Sequence, residues 1–151
     1  MGKYGVMMRY LPDVNLWIAL SIPAHSFHRT AMAWTDADPG RAMHFCRYTQ
    51  QGLLRLLTTA AVTTLFGHRP MTNREAIQRI NGLLASDRFP FAPEPVGLQE
   101  QWFSFADMRT ASPKVWMDAY LAAFAVCGGY RLVTTDKAFK QFKTLDVQVL
   151  G

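Results

Sequence analysis

Asp13, Asp118 and Asp136 are far apart in the sequence, yet they are where chemistry would sit in this chain. Asp13 closes the strand-like run Arg9-Tyr10-Leu11-Pro12, in which Pro12 suits a strand end better than its middle. Asp136 follows Tyr130-Arg131-Leu132-Val133-Thr134-Thr135, the strongest strand pattern in the sequence. In open parallel sheets ligands sit beyond the carboxyl ends of the strands, so both acids occupy ligand-facing positions. Asp118 lies between Trp116-Met117 and Ala119-Tyr120-Leu121, inside an apolar helical segment where the pattern places it among buried residues. An ionised carboxylate there is expensive without a compensating cation or donor. A loop-capping role or an arginine partner would answer that need as well as a metal would. Three such carboxylates together suit Mg²⁺, or Mn²⁺, which take a few carboxylates and several waters in an open site. Such an ion lowers the pKa of a bound water and stabilises charge on a phosphate.

Other constellations compete poorly. His25 and His28 stand three residues apart, a spacing compatible with zinc, but no third ligand is evident and packing is the simpler reading. His44 and His68 are isolated, and Cys46 and Cys127, each in an apolar stretch, read as free buried thiols. A phosphoacceptor signalling domain would also use acids at strand ends. It would want an adjacent acidic pair at the first strand and an acceptor Asp after Cys46, and neither is present.

The elements that must position the acids follow from periodicity and punctuation. Val14 to Leu20 reads as helix, Pro23 interrupts, and Ala24 to Thr35 reads as helix again. After the turn Asp36-Ala37-Asp38-Pro39-Gly40, Ala42 to Cys46 is expected to form a second short strand. Apolar residues recur with helical spacing from Tyr48 to Val62. Thr72 and Glu75 form a capping-box pattern for a helix reaching Ala85. Phe89 to Pro95 is extended, Leu98 to Met108 helical, and Ser112-Pro113 supplies an N-cap and first position for a helix ending at Gly128-Gly129. Lys137 to Phe142 is a short helix, and Val147 to Leu150 a last strand. Short strands alternating with helices imply an α/β fold with a mainly parallel sheet covered on both faces.

With 151 residues, half of them hydrophobic and 18% charged, the chain suits one globular domain and not a disordered one. Residues 9–151 are expected to form it, with 1–8 as an N-terminal tail, native or left over from expression. No apolar run approaches the roughly 18 residues of a membrane span. The first residues also lack the apolar segment of a signal peptide, so a cytoplasmic location away from membranes is expected. A net charge of +5 mildly favours a polyanionic partner.

From Tyr10 onward the chain resembles a PIN domain, in particular the VapC-type toxins of toxin–antitoxin pairs. Leu11-Pro12-Asp13-Val14-Asn15 is similar to the family's opening strand and first acid. Cys46 to Leu57 resembles the segment with its second acidic position, Asp118 to Ala125 the helix with the third, and Leu132 to Asp136 the strand and fourth. The resemblance implies a three-layer α/β/α fold and a metal-dependent endoribonuclease that cuts RNA and arrests translation. It also implies a homodimer inhibited by a small antitoxin protein. The second position, usually Glu, is Gln50 here, whose amide oxygen can hold a metal or a water but carries no charge. That departure leaves room for a PIN module that binds RNA or an antitoxin without efficient cleavage.

In this reading Asp13, Gln50, Asp118 and Asp136 are the catalytic set, and the three aspartates hold one or two Mg²⁺ ions. Asn15 and Thr134 would support them by hydrogen bonds, unless each serves only its own turn or strand. Lys137, Lys140 and Lys143 recur every three residues and, in a helix, would form a stripe for RNA phosphates or simply a solvated face. Arg47 and Arg55, flanking Gln50, are further candidates for RNA or antitoxin contact.

Overall fold

The computed structural model describes residues 8–151. The expected tail, residues 1–8, lies outside them apart from Met8, which is exposed just before the first strand.

Three short strands form a parallel sheet: β1 (Arg9–Pro12), β2 (Tyr130–Thr134) and β3 (Val147–Val149), in that spatial order. Pro12 pairs with Val133 at the carboxyl end of the β1–β2 ladder, and the Asp13 amide donates to the Val133 carbonyl at 2.9 Å. The helices are α1 (Val14–Ser21), α2 (His28–Asp36), α3 (Arg47–Leu57), α4 (Ala60–Thr63), α5 (Asn73–Leu84), α6 (Leu98–Ala106) and α7 (Val115–Gly128).

Successive strand residues face opposite sides of a sheet, and the core divides accordingly. Leu11 and Leu132 pack with Ala119, Phe124 and Leu98 of the α6–α7 layer. Val133 packs with Leu16, Trp17, Leu53 and Ala76 of the layer built from α1, α2, α3 and α5. The result is the expected three-layer α/β/α sandwich. Trp17 stacks on Phe45 at 3.7 Å between ring centroids, and this pins α1, with Asp13 at its head, beneath the sheet.

Several local readings hold. Gly129 takes the left-handed conformation (φ 71°) that ends α7 and releases the chain straight into β2. The Thr72–Glu75 capping box is formed, each side chain meeting the other's backbone amide at 3.2 Å.

Other boundaries differ for physical reasons. Residues 42–46 do not make a full strand: Tyr10 bridges Met43, and Phe45 bridges Phe91, as single parallel contacts that extend the sheet on the β1 side. Pro90, Pro93 and Pro95 lack the donors a regular ladder on that flank needs. The expected helix from Tyr48 to Val62 breaks at Thr58-Thr59, whose hydroxyls bond back to the carbonyls of Leu54 and Arg55. The helix expected from Ala24 starts only at His28.

Ser112 is not the cap of α7. Its carbonyl accepts the Val115 amide at 3.1 Å, so Ser112 and Pro113 form a turn and the helix begins at Val115. The segment after Asp136 is a 3₁₀ helix, Lys137–Gln141, and Phe142 is already extended. Lys137 and Lys140 therefore line up, as residues three apart do in a 3₁₀ helix, whereas Lys143 leaves the stripe.

Candidate active site at the carboxyl edge of the sheet

Asp13 is the most constrained residue of the site. It ends β1, caps α1, and is 4% exposed. Its Oδ1 accepts the Leu16 amide at 3.1 Å and its Oδ2 accepts the Thr134 hydroxyl at 2.5 Å. Burial nonetheless dominates and lifts its pKa from 3.8 to about 6, with the nearby Asp136 charge adding to the rise.

Asp136 caps the 3₁₀ helix with its own carboxylate, Oδ1 accepting the Ala138 amide at 2.8 Å. Its backbone amide donates to the Thr134 hydroxyl at 2.9 Å. Asp118 sits in the first turn of α7, and its pKa is raised first by burial and then by Asp136. It is half-buried rather than enclosed as the sequence pattern suggested, because the later start of α7 leaves Trp116 and Met117 exposed beside it. The enclosed carboxylate is Asp13.

The carboxylates thus face one another electrostatically at one edge of the sheet. Among the described residues none of the three has a cationic side-chain partner; the ion pairs are Arg69–Glu75 and Arg131–Asp146, elsewhere. As placed, no three His, Cys, Asp or Glu groups among these residues close into one coordination set. An all-oxygen, uncompensated donor set of this kind fits a hard divalent ion that keeps part of its water shell. Asp118 and Asp136, both partly exposed, can turn toward such an ion more freely than Asp13 can.

The remaining expected residues are placed unevenly. Thr134 is fully buried and bonded to both Asp13 and Asp136. Asn15 is exposed; its backbone amide, not its side chain, acts on Asp13. Gln50 is buried, and its amide oxygen accepts Arg47 Nη1 at 2.6 Å, with no hydrogen bond to the acids among the described residues. Arg47 also lies over the Phe91 ring. Lys137 and Lys140 are exposed just past Asp136. His25 and His28 are packing residues: His25 stacks near Phe66 and accepts the Phe27 amide, and His28 meets the Ala19 carbonyl. Both cysteines are free.

Tyr48 was not singled out by sequence. Burial, then Asp118 and Asp13, push its pKa up to about 12, so the phenol stays protonated and faces the acids as a neutral group. The signal was the stripe Tyr48, Gln51, Gly52, Arg55, which shares one face of α3.

A family profile described as PIN domain matches residues 10–145. The chain is 50% identical over 144 residues to Ribonuclease VapC41 of Mycobacterium tuberculosis (strain ATCC 25618 / H37Rv), covering 93% of this chain and 98% of that protein. It is 30% identical over 131 residues to Ribonuclease VapC44 of the same strain, covering 87% and 88%. Among solved structures, VapBC-1 from nontypeable Haemophilus influenzae matches with a TM-score of 0.65 at 18% identity, over 94% of this chain and 98% of that one. Mycobacterium tuberculosis VapC20, described as a sarcin-ricin loop cleaving toxin, matches with a TM-score of 0.60 at 19% identity, over 92% and 98%. At these identities the structural likeness speaks for the fold, while the sequence matches speak for the family. With the three-layer fold and strand-end acids expected of it, this chain belongs to the PIN-domain family.

Proposed function

We propose that the chain is an RNA-hydrolysing enzyme, a metal-dependent endoribonuclease that acts as the toxin of a VapBC-type pair. The observation that carries this reading is Asp13: a carboxylate 4% exposed, with no cationic partner among the described residues, held beside Asp136 at the carboxyl ends of adjacent strands. Burying such a charge is unfavourable unless binding offsets it. Half identity with a protein named a ribonuclease, over nearly all of both chains, supports RNA as the substrate.

Asp13, Asp118 and Asp136 would hold Mg²⁺, with Mn²⁺ as an alternative. When bound, the ion supplies Lewis acidity, making water more acidic and offsetting charge on the phosphate. The protein's own part is positional. Thr134 fixes the Asp13 carboxylate, Asn15 offers its amide to the same group, and Gln50 orders Arg47 along the rim. Lys137, Lys140 and Arg47 contribute positive charge for the RNA backbone. A small antitoxin and a second copy of the chain complete the proposal as partners. Among the described residues no helix is long and apolar enough to cross a membrane.

The test is cleavage of total RNA with Mg²⁺ or Mn²⁺, comparing wild type with Asp13→Ala and Asp118→Asn, together with growth on induced expression. Metal-dependent cleavage and growth arrest, both lost in the variants, are expected. Gln50, tied to Arg47, favours one other reading: a module that binds RNA or an antitoxin without cutting. Binding with no cleavage in either metal would select it.

A further inference from the structure

Beside the acids, α3, α1 and α7 enclose an open groove of about 310 Å³, lined by Val14, Tyr48, Gln51, Gly52, Arg55 and Met117. Its position is set by the catalytic edge. Val14 adjoins Asp13 in sequence, Met117 adjoins Asp118, and the Tyr48 hydroxyl feels both carboxylates and the Arg55 charge. We propose that this groove is a nucleotide subsite, in which Arg55 takes an RNA phosphate and Tyr48 and Met117 flank the attached base. The proposal rests on the ribonuclease reading and adds where the strand lies.

Four observations carry it. The groove sits at the small end of ligand pockets, room for one nucleotide and not for a paired duplex. Its walls are an aromatic ring and a thioether, with Met117 53% exposed, surfaces that suit any base face.

The polar end is a lone cation. Arg55 is exposed and has no ion pair among the described residues. Arg47, the other arginine flanking Gln50, is already held by Gln50 and by the Phe91 ring, so Arg55 is the freer of the two for a phosphate.

Spacing agrees as well. Seven residues separate Tyr48 from Arg55 on α3, which is about 10 Å along a helix, so Arg55 addresses a phosphate near the scissile one but distinct from it. Because the base must leave a stack to enter, the subsite selects unpaired nucleotides.

The experiment measures anisotropy of a fluorescein-labelled, randomised 12-nucleotide single-stranded RNA in EDTA, at salt from about 50 to 200 mM. Arg55→Ala is expected to weaken binding about five- to tenfold and to flatten the salt slope by about 0.7, as for one lost phosphate contact on a single strand. Arg55→Lys should recover part of this. Met117→Glu, a change at an exposed position, should weaken binding at least about tenfold by placing an anion in the groove. Arg131→Ala, at the far end of β2 from the acids, is the control and should bind as wild type. Unchanged binding in both Arg55→Ala and Met117→Glu overturns the subsite, as does a wild type that fails to bind the probe at all. Loss of a protein partner with RNA binding intact would make the groove a protein surface and overturn it too. A parallel Mg²⁺/Mn²⁺ cleavage assay separates the two levels. Binding defects without any wild-type cleavage defeat the ribonuclease reading alone; normal cleavage by wild type and variants alike defeats the subsite alone.

Discussion

The Thr134 hydroxyl donates to Oδ2 of Asp13 at 2.5 Å, across the β1–β2 boundary and out of contact with solvent. The Thr134 hydroxyl oxygen in turn accepts the Asp136 amide at 2.9 Å. One small side chain thus fixes the Asp13 carboxylate and the backbone that carries Asp136. Thr134→Val keeps the shape and removes both bonds. Losing a hydrogen bond to a charged, buried group costs about 1–3 kcal/mol. Because this bond lowers the pKa of Asp13, its removal should raise that pKa above about 6 and move the acid limb of the activity profile to higher pH. Thr134→Ser should restore most of both. Urea denaturation and a pH–rate profile check this; a valine variant with an unmoved acid limb would sink it.

Asp13 itself should lower the stability of the metal-free protein at neutral pH. Its folded pKa, about 6, lies above the ordinary 3.8, so the folded state keeps a proton that the unfolded state has released. The stability linked to that proton is complete below about pH 3.8 and is lost as pH rises through about 6. The displacement corresponds to about 3 kcal/mol. Asn keeps the shape without the charge: its Oδ1 can accept the Leu16 amide, and its Nδ2 can donate to the Thr134 hydroxyl oxygen, reversing the direction of that bond. In EDTA near pH 7.5, Asp13→Asn should therefore melt higher than wild type while being inactive, and the difference should close toward pH 4. A variant that melts lower near pH 7.5 would contradict the account.

A divalent ion should reverse that cost. Anything that binds only the folded state stabilises it, by about 2.7 kcal/mol at a hundredfold excess over Kd. Mg²⁺ or Mn²⁺ should raise the melting temperature of wild type, and raise it much less in Asp13→Asn or Asp136→Asn. Equal shifts in all three proteins, read by calorimetry, would place the ion elsewhere.

Gly52 allows α1 to lie close against α3. A Cβ added there would meet Val14 Cγ2 at 2.5 Å, and Val14 follows Asp13 directly. Gly52→Ala should cost about 1–3 kcal/mol by overpacking and displace Asp13, lowering activity. Val14→Ala, made on top of it, should recover much of the stability, a non-additive pair. Additive losses in the double variant would mean the two side chains do not meet.

The parts of the structure written in the sequence are those specified by local hydrogen bonding and backbone conformation. Gly128-Gly129 ends α7, Thr72 and Glu75 start α5, and the apolar run before Asp136 is a strand, because each depends on neighbours a few residues away. The two strand-end aspartates were legible for the same reason. Tertiary structure decided what depends on coverage from distant segments. Residues 42–46 became bridges and not a strand because the flank they meet is rich in proline. Lys143 left the basic stripe when the 3₁₀ helix stopped at Gln141, leaving Lys137 and Lys140.

The acids show the division most clearly. The sequence by itself placed Asp13 and Asp136 just past strand ends, where a parallel sheet presents ligands, and Asp118 inside a helix. It placed the enclosed charge at Asp118, from apolar neighbours along one helix. Burial, however, is set by which layers meet above a side chain. Here α1 and β2 close over Asp13, while α7 starts late and leaves Asp118 at the rim, with the groove to Arg55 opening beside it.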